Sequence, residues 1–216
     1  MVGGLCYHVI NRGNARATVF HDPKDYRAFL VLMKLASERI PMRILAYCLM
    51  PNHFHLVLWS HVDGDISRWM HWLLTAQTKR HHRIRGTSGR IWQGRFKAFC
   101  IQQDRHLLTV MRYVERNPLR ANLVESAAHW DWSSIGNNGP DLSLIAEGPV
   151  AKPDNWLEFV DAPQTQDEID ALRRCSAKNA PFGNQAWTQS TAERLGLTCS
   201  LRRPGRPKLG HKWGHS

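Results

Sequence analysis

Residues 51–58 read Pro-Asn-His-Phe-His-Leu-Val-Leu, and two histidines one residue apart have a direct geometric meaning if the run is a strand. Side chains two apart in a strand leave the same face, so His53 and His55 project together while Phe54, Leu56 and Leu58 project oppositely. Two adjacent imidazoles are half of a metal site. Taken alone, the plainer reading outweighs that one: two polar residues on the more exposed face of a half-buried strand. A second group lies further on. On a helical wheel Leu107, Leu108, Val110, Met111 and Val114 form one apolar stripe, and Tyr113 falls roughly 140° from its middle. Asn117 lies four residues beyond Tyr113 and therefore on the same side. A phenol and a carboxamide so placed can present a nucleophile and a metal ligand together. An exposed tyrosine and an asparagine ending the helix before Pro118 would explain the pair as well.

The elements that must position these residues alternate in period. Leu5–Asn11 reads as a strand. Asp22 and Pro23 open a helix, with a capping carboxylate and proline at its first position. Arg43–Leu49 and His53–Ser60 read as a hairpin around Met50-Pro51-Asn52. Ile66 to about Arg83 reads as a second helix, Ile91–Ile101 as a fourth strand, and Asp104 as the cap of a third helix reaching about Arg116. The order β-α-β-β-α-β-α predicts an α+β fold: a ferredoxin-like, split βαβ antiparallel sheet with helices on one face, followed by one more helix. The turn-forming stretch 133–141 marks a change of composition. It suggests a main domain over 1–135, a helical extension over 136–200 with a capping box at Thr165–Glu168, and a short tail over 201–216. Asp63 and Asp65 read as turn residues beside Gly64, and Trp130 and Trp132 as packing at the junction.

Charge separates these three parts. Across 216 residues, Lys and Arg total 29 against 18 Asp and Glu, a net charge of +11. Residues 1–135 hold 19 basic and 9 acidic side chains, residues 136–200 hold 5 and 9, and the tail holds 5 and none. Such an excess favours polyanionic partners, nucleic acid foremost. No apolar run approaches the roughly 20 residues of a membrane span, and residues 1–14 lack the pattern of a signal peptide. The 5 cysteines are dispersed with no CxxC pair, which fits a reducing compartment and excludes a disulfide frame or zinc knuckle. The expectation is a cytoplasmic, nucleoid-associated protein without a membrane partner.

Several of these segments resemble a known family. PNHFHLVL is similar to the HUH motif of single-strand DNA nucleases, and RYVERNPLRANLV at 112–124 to the tyrosine motif of single-tyrosine HUH transposases. YHVINRGN near the start, IWQGRFK at 91–97, and PFGNQAWTQSTAERLGL followed by RRPGRPK match the same pattern in the same order. The chain therefore resembles the REP-associated tyrosine transposases, relatives of small insertion-sequence enzymes. The resemblance implies that His53 and His55 bind Mg²⁺ or Mn²⁺, that Asn117 is a third, amide-type ligand, and that Tyr113 is the single nucleophile. It further implies a 5′-phosphotyrosine intermediate on single-stranded, hairpin-bearing DNA, followed by strand transfer, in an enzyme that works as a monomer or, like insertion-sequence relatives, as a homodimer. Two other classes share the sheet: a non-catalytic hairpin DNA- or RNA-binding protein, and a replication initiator or relaxase, for which no second tyrosine is found near Tyr113.

DNA contacts are expected from the basic run containing Lys79, Arg80 and Arg83, and from Arg95 and Lys97, with Trp92 and Phe96 interleaved as stacking platforms. Arg112, Arg116 and Arg120 flank the tyrosine at four-residue intervals, and Arg12 and Arg16 follow the first strand. In the tail, Arg203, Arg206 and Lys208 sit in a run that resembles an AT-hook, a minor-groove element.

Overall fold

A computed structural model describes residues 1–137 and 143–202. Strands β1 (Cys6–Arg12), β2 (Met42–Met50), β3 (His53–Ser60) and β4 (Lys97–Ile101) form one antiparallel sheet in the order β2-β3-β1-β4. Helices α1 (Pro23–Arg39) and α2 (Asp65–Arg85) make the two crossovers, which is the expected split βαβ plan. Asp22 caps α1 by accepting from the N–H groups of Lys24 and Asp25, with Pro23 at the first position. Gly86 ends α2 at φ 61°, a left-handed turn that favours glycine.

Period-two alternation divides the sheet's side chains between two cores. Tyr7, Val9, Tyr47, Leu49, Phe54, Leu56 and Leu58 join the inner faces of α1 and α2. The opposite face, which the expected plan leaves largely open, is covered as well. Helix α3 (Arg105–Glu115) packs there on Cys6, Cys48, Val57, Phe99 and Ile101. After α3 comes the single turn α4 (Asn117–Arg120), then α5 (Trp156–Asp161), α6 (Gln166–Lys178) and α7 (Gln185–Arg194). Trp156 and Val160 of α5 and Leu172 of α6 belong to this second core. The extension thus completes the layer around α3. Tyr26 stacks on Trp132, and the Trp130 indole N–H donates to the Leu49 carbonyl, so both tryptophans do pack the junction.

The fourth strand is shorter than its sequence implies. Trp92 turns into the first core beside Phe29 and Phe54, and residues 91–93 strap onto the end of β1 through Asn14 N–H to Ile91 O and Gln93 N–H to Arg12 O. The ladder starts only at Lys97. This strap puts Gly94 and Arg95 beside the C-terminal end of β1, where the histidine strand begins.

Candidate functional site

Register brings the first residues together. In the β1–β3 ladder Ile10 lies opposite His55 and Arg12 opposite His53. His53 and His55 leave the face toward α3, with ring centroids 5.0 Å apart. That face is closed, so His55 is only 3% exposed, and the picture of two imidazoles on a solvated face does not hold.

A third histidine, missed in the sequence, joins them. His8 lies on β1, buried and stacked on His55 at 5.0 Å, and its Nε2 is 2.8 Å from His55 Nδ1. Alternation alone places His8, Ile10 and Arg12 on one face, but only the β1–β3 register shows that this face is the one bearing His53 and His55.

One imidazole has its tautomer set by a neighbour. The Asn52 amide N–H donates to the Arg16 carbonyl, which turns its Oδ1 toward His53 Nδ1 at 2.7 Å. That oxygen can only accept, so Nδ1 carries the proton and Nε2 keeps its lone pair. Burial, then the guanidiniums of Arg12 and Arg120, lower the His53 pKa to about 4. Burial, then Arg120, lowers His8 to about 3. His55 is pushed well below its ordinary value by burial and then by His53 and His8. All three are neutral at physiological pH.

These depressed values predict acid sensitivity. The unfolded chain binds protons on these histidines near pH 6.5, whereas folded His53 waits until about pH 4 and His8 until about pH 3. Their stabilising contribution is complete above pH 6.5 and declines as pH falls toward 4, by up to about 1.4 kcal/mol per pH unit for each histidine. Urea unfolding at pH 7, 6 and 5 should show the decline, and His8→Gln should flatten it by about one histidine's share. A midpoint unchanged from pH 7 to 5 would contradict this account.

Helix α3 supplies the phenol. Tyr113 lies off the apolar stripe, yet it is only 9% exposed, because a second wall covers that side. Its ring meets His8 and His55 edge-on at 6.2 and 5.8 Å, and the Arg120 guanidinium lies 4.1 Å from its centroid. Arg116 separates α3 from α4, and Asn117 keeps helical geometry although Pro118 follows it. Asn117 is buried, and its amide nitrogen has no hydrogen-bond partner among the described residues. His53, His55, Tyr113 and Asn117 line one pocket of about 650 Å³, together with Arg12, Arg95, Lys97, Arg120 and Arg173. The expected cluster is therefore assembled from β3, α3 and α4.

Some expected DNA contacts are occupied otherwise. Arg112 is buried, stacks on Phe159, and donates to the carbonyls of Ala162 and Pro163. Arg116 donates to the carbonyls of Val160 and Asp161. Both guanidiniums cap the C-terminal end of α5, where cations suit the exposed carbonyls, rather than standing free for phosphates. Arg80 is likewise tied down, bridging to buried Asp25 at 2.8 Å alongside Arg85 at 2.6 Å. Burial alone would raise the Asp25 carboxyl, but bonds from Arg80, the His21 N–H and Arg85 hold it at about 2. Trp92 is core rather than an open platform. Arg16, Lys79, Arg83, Arg95 and Lys97 are exposed. Phe96 lines a neighbouring groove of about 950 Å³ with Lys79, Arg90 and Arg95. The tail residues Arg203, Arg206 and Lys208 lie outside the described residues. No helix among the described residues is long and apolar enough to cross a membrane.

Comparison with known proteins bears on residues 1–117, which match the family described as "Transposase IS200 like". A Haemophilus influenzae protein assigned by name to the REP-associated tyrosine transposases is 27% identical over 122 residues, covering 51% of this chain and 69% of that protein. Among solved structures, a REP-associated tyrosine transposase bound to a REP hairpin superposes with a TM-score of 0.51 at 20% identity, over 68% of this chain and 93% of that one. That likeness establishes the shared fold.

Proposed function

The chain belongs to the IS200-like transposase family, whose pattern spans residues 1–117, and from that premise we propose that it is a metal-dependent, single-tyrosine nuclease and strand-transferase acting on hairpin-bearing single-stranded DNA. The observation that carries the reading is the convergence of His53, His55, Tyr113 and Asn117 in one pocket whose charged lining residues are all cationic. The similar structure bound to a REP hairpin supports the same class of partner here.

The donor set suits a cation. His53 Nε2 keeps its lone pair, and the Asn117 carboxamide oxygen would be the third ligand, leaving its buried amide N–H groups, which have no partner among the described residues, to donate to a phosphate oxygen. With the shared proton on His55 Nδ1, where it bonds His8, His55 Nε2 is free as well, the arrangement usual for ligating histidines. A divalent cation held by His53, His55 and Asn117 would neutralise a non-bridging oxygen of the scissile phosphate. Imidazole donors suit Mn²⁺ at least as well as Mg²⁺.

The chain's own residues perform the remaining steps. Arg12 and Arg120 bring guanidiniums to the phosphate. The Tyr113 oxygen attacks phosphorus in line, the new O–P bond replaces the bond to the 3′ oxygen, and the phenolic proton ends on that 3′ oxygen. The products are a 5′-phosphotyrosine and a free 3′-hydroxyl. Reversal by the same or another 3′-hydroxyl reseals or transfers the strand.

Labelled hairpin oligonucleotides with a single-stranded flank test the reading. A covalent protein–DNA adduct should form with Mn²⁺ or Mg²⁺ and vanish with chelator. In His53→Ala it should fall at least about 100-fold, since losing even an outer-shell partner of a metal ligand costs about 10–100-fold. Hairpin binding with no adduct under any metal would favour a non-catalytic DNA-binding protein on the same fold.

A further inference from the structure

The charge of the pocket is unusual for a cation site. Its three candidate donors, His53, His55 and Asn117, are all neutral. Arg12, Arg95, Lys97, Arg120 and Arg173 surround them, and no aspartate or glutamate lines the pocket. Among the described residues, no cluster of three or more His, Cys, Asp or Glu could hold a metal. Among the described residues Arg12 and Arg120 have no carboxylate partner, and Arg12 Nε and Arg120 Nη1 are buried without a hydrogen-bond partner. Buried guanidinium nitrogens of this kind are costly unless an anion completes them.

We propose that this pocket takes its metal and its DNA phosphate as a coupled pair, each weak alone and each completing the other. The proposal rests on the nuclease reading above. A divalent cation entering the free protein meets neutral donors and the repulsion of neighbouring guanidiniums. A phosphate bound by Arg12 and Arg120 cancels that repulsion and adds an oxygen ligand. The coupling must then be reciprocal, with DNA raising metal affinity by the same factor as metal raises DNA affinity. The arginines consequently have opposite effects in the two states: they hinder the cation in the free protein and recruit it in the complex.

The measurement uses Tyr113→Phe protein, so that the strand stays intact, with Mn²⁺ binding followed by the paramagnetic signal of the free ion. A hairpin oligonucleotide with a ten-nucleotide single-stranded flank (on the order of the 4–16-nucleotide site sizes of single-strand binders) serves as the anion. Saturating hairpin should tighten Mn²⁺ binding at least about tenfold, and saturating Mn²⁺ should tighten hairpin binding by the same factor. Adding Arg120→Ala should strengthen Mn²⁺ binding to the free protein and shrink the gain on adding hairpin. Equal Mn²⁺ affinity with and without hairpin, or weaker Mn²⁺ binding to free Arg120→Ala protein, would overturn the coupling while leaving the nuclease reading intact. If Mn²⁺ binds in neither state although the hairpin does, the metal assignment itself fails and the coupling with it.

Discussion

Replacing Tyr113 with phenylalanine should abolish the covalent protein–DNA adduct while leaving the fold and hairpin binding in place. The ring is held by edge contacts to His8 and His55 and by the Arg120 guanidinium at 4.1 Å, and phenylalanine keeps those contacts. The hydroxyl makes no hydrogen bond to any described residue, so its removal orphans no buried group. The stability cost should therefore stay within about 1 kcal/mol, whereas the oxygen proposed to attack is lost outright. Denaturing electrophoresis of labelled hairpin reads the adduct, and a gel shift reads binding. An adduct that survives the substitution would mean that another residue is the nucleophile.

The second large effect concerns how that tyrosine is held. Glu115, two residues after it, is fully buried and accepts from Ser134 Oγ at 2.6 Å, Lys152 Nζ at 3.1 Å and Trp156 Nε1 at 2.6 Å. These partners lie in the segments after α4, so one carboxylate ties the tyrosine helix to the second layer. Removing one member of a buried, hydrogen-bonded charge pair costs about 3–5 kcal/mol, because its partners are left unpaired. Glu115→Ala should lose that much, read as a fall in Tm of about 10 °C for a chain of this size. It should also lower adduct yield per bound hairpin, because α3 is released from this buried tether. A Tm within about 2 °C of wild type would show that the network contributes little. Together with the capping of α5 by Arg112 and Arg116, this anchoring fastens the tyrosine helix to its own chain.

How far the site was readable depends on the range of the interactions that build it. Strand alternation placed His53 and His55 on one face and Phe54, Leu56 and Leu58 on the other, as the structure has them. The cap at Asp22, the hairpin at 50–52 and the capping box at Thr165 depend on neighbours a few residues apart, and each appears where expected. Helical spacing likewise paired Tyr113 with Asn117, and both line the pocket.

What needed the tertiary structure is whatever depends on a partner far along the chain. His8 shares a hydrogen bond with a residue 47 positions away, and no local pattern encodes that register. Arg112 and Arg116 have the spacing of a phosphate-binding face, but the carbonyls that occupy them come from the end of α5 and the two residues after it, more than 40 residues on. Trp92 has the composition of a stacking platform and is drawn instead into the core by Phe29 and Phe54. Residue types and short periods therefore determined which candidate groups the chain carries and which elements present them. The packing of the second layer on the sheet decided which of its arginines remain unpaired in the pocket, because a buried guanidinium is satisfied by whatever acceptor the fold brings to it.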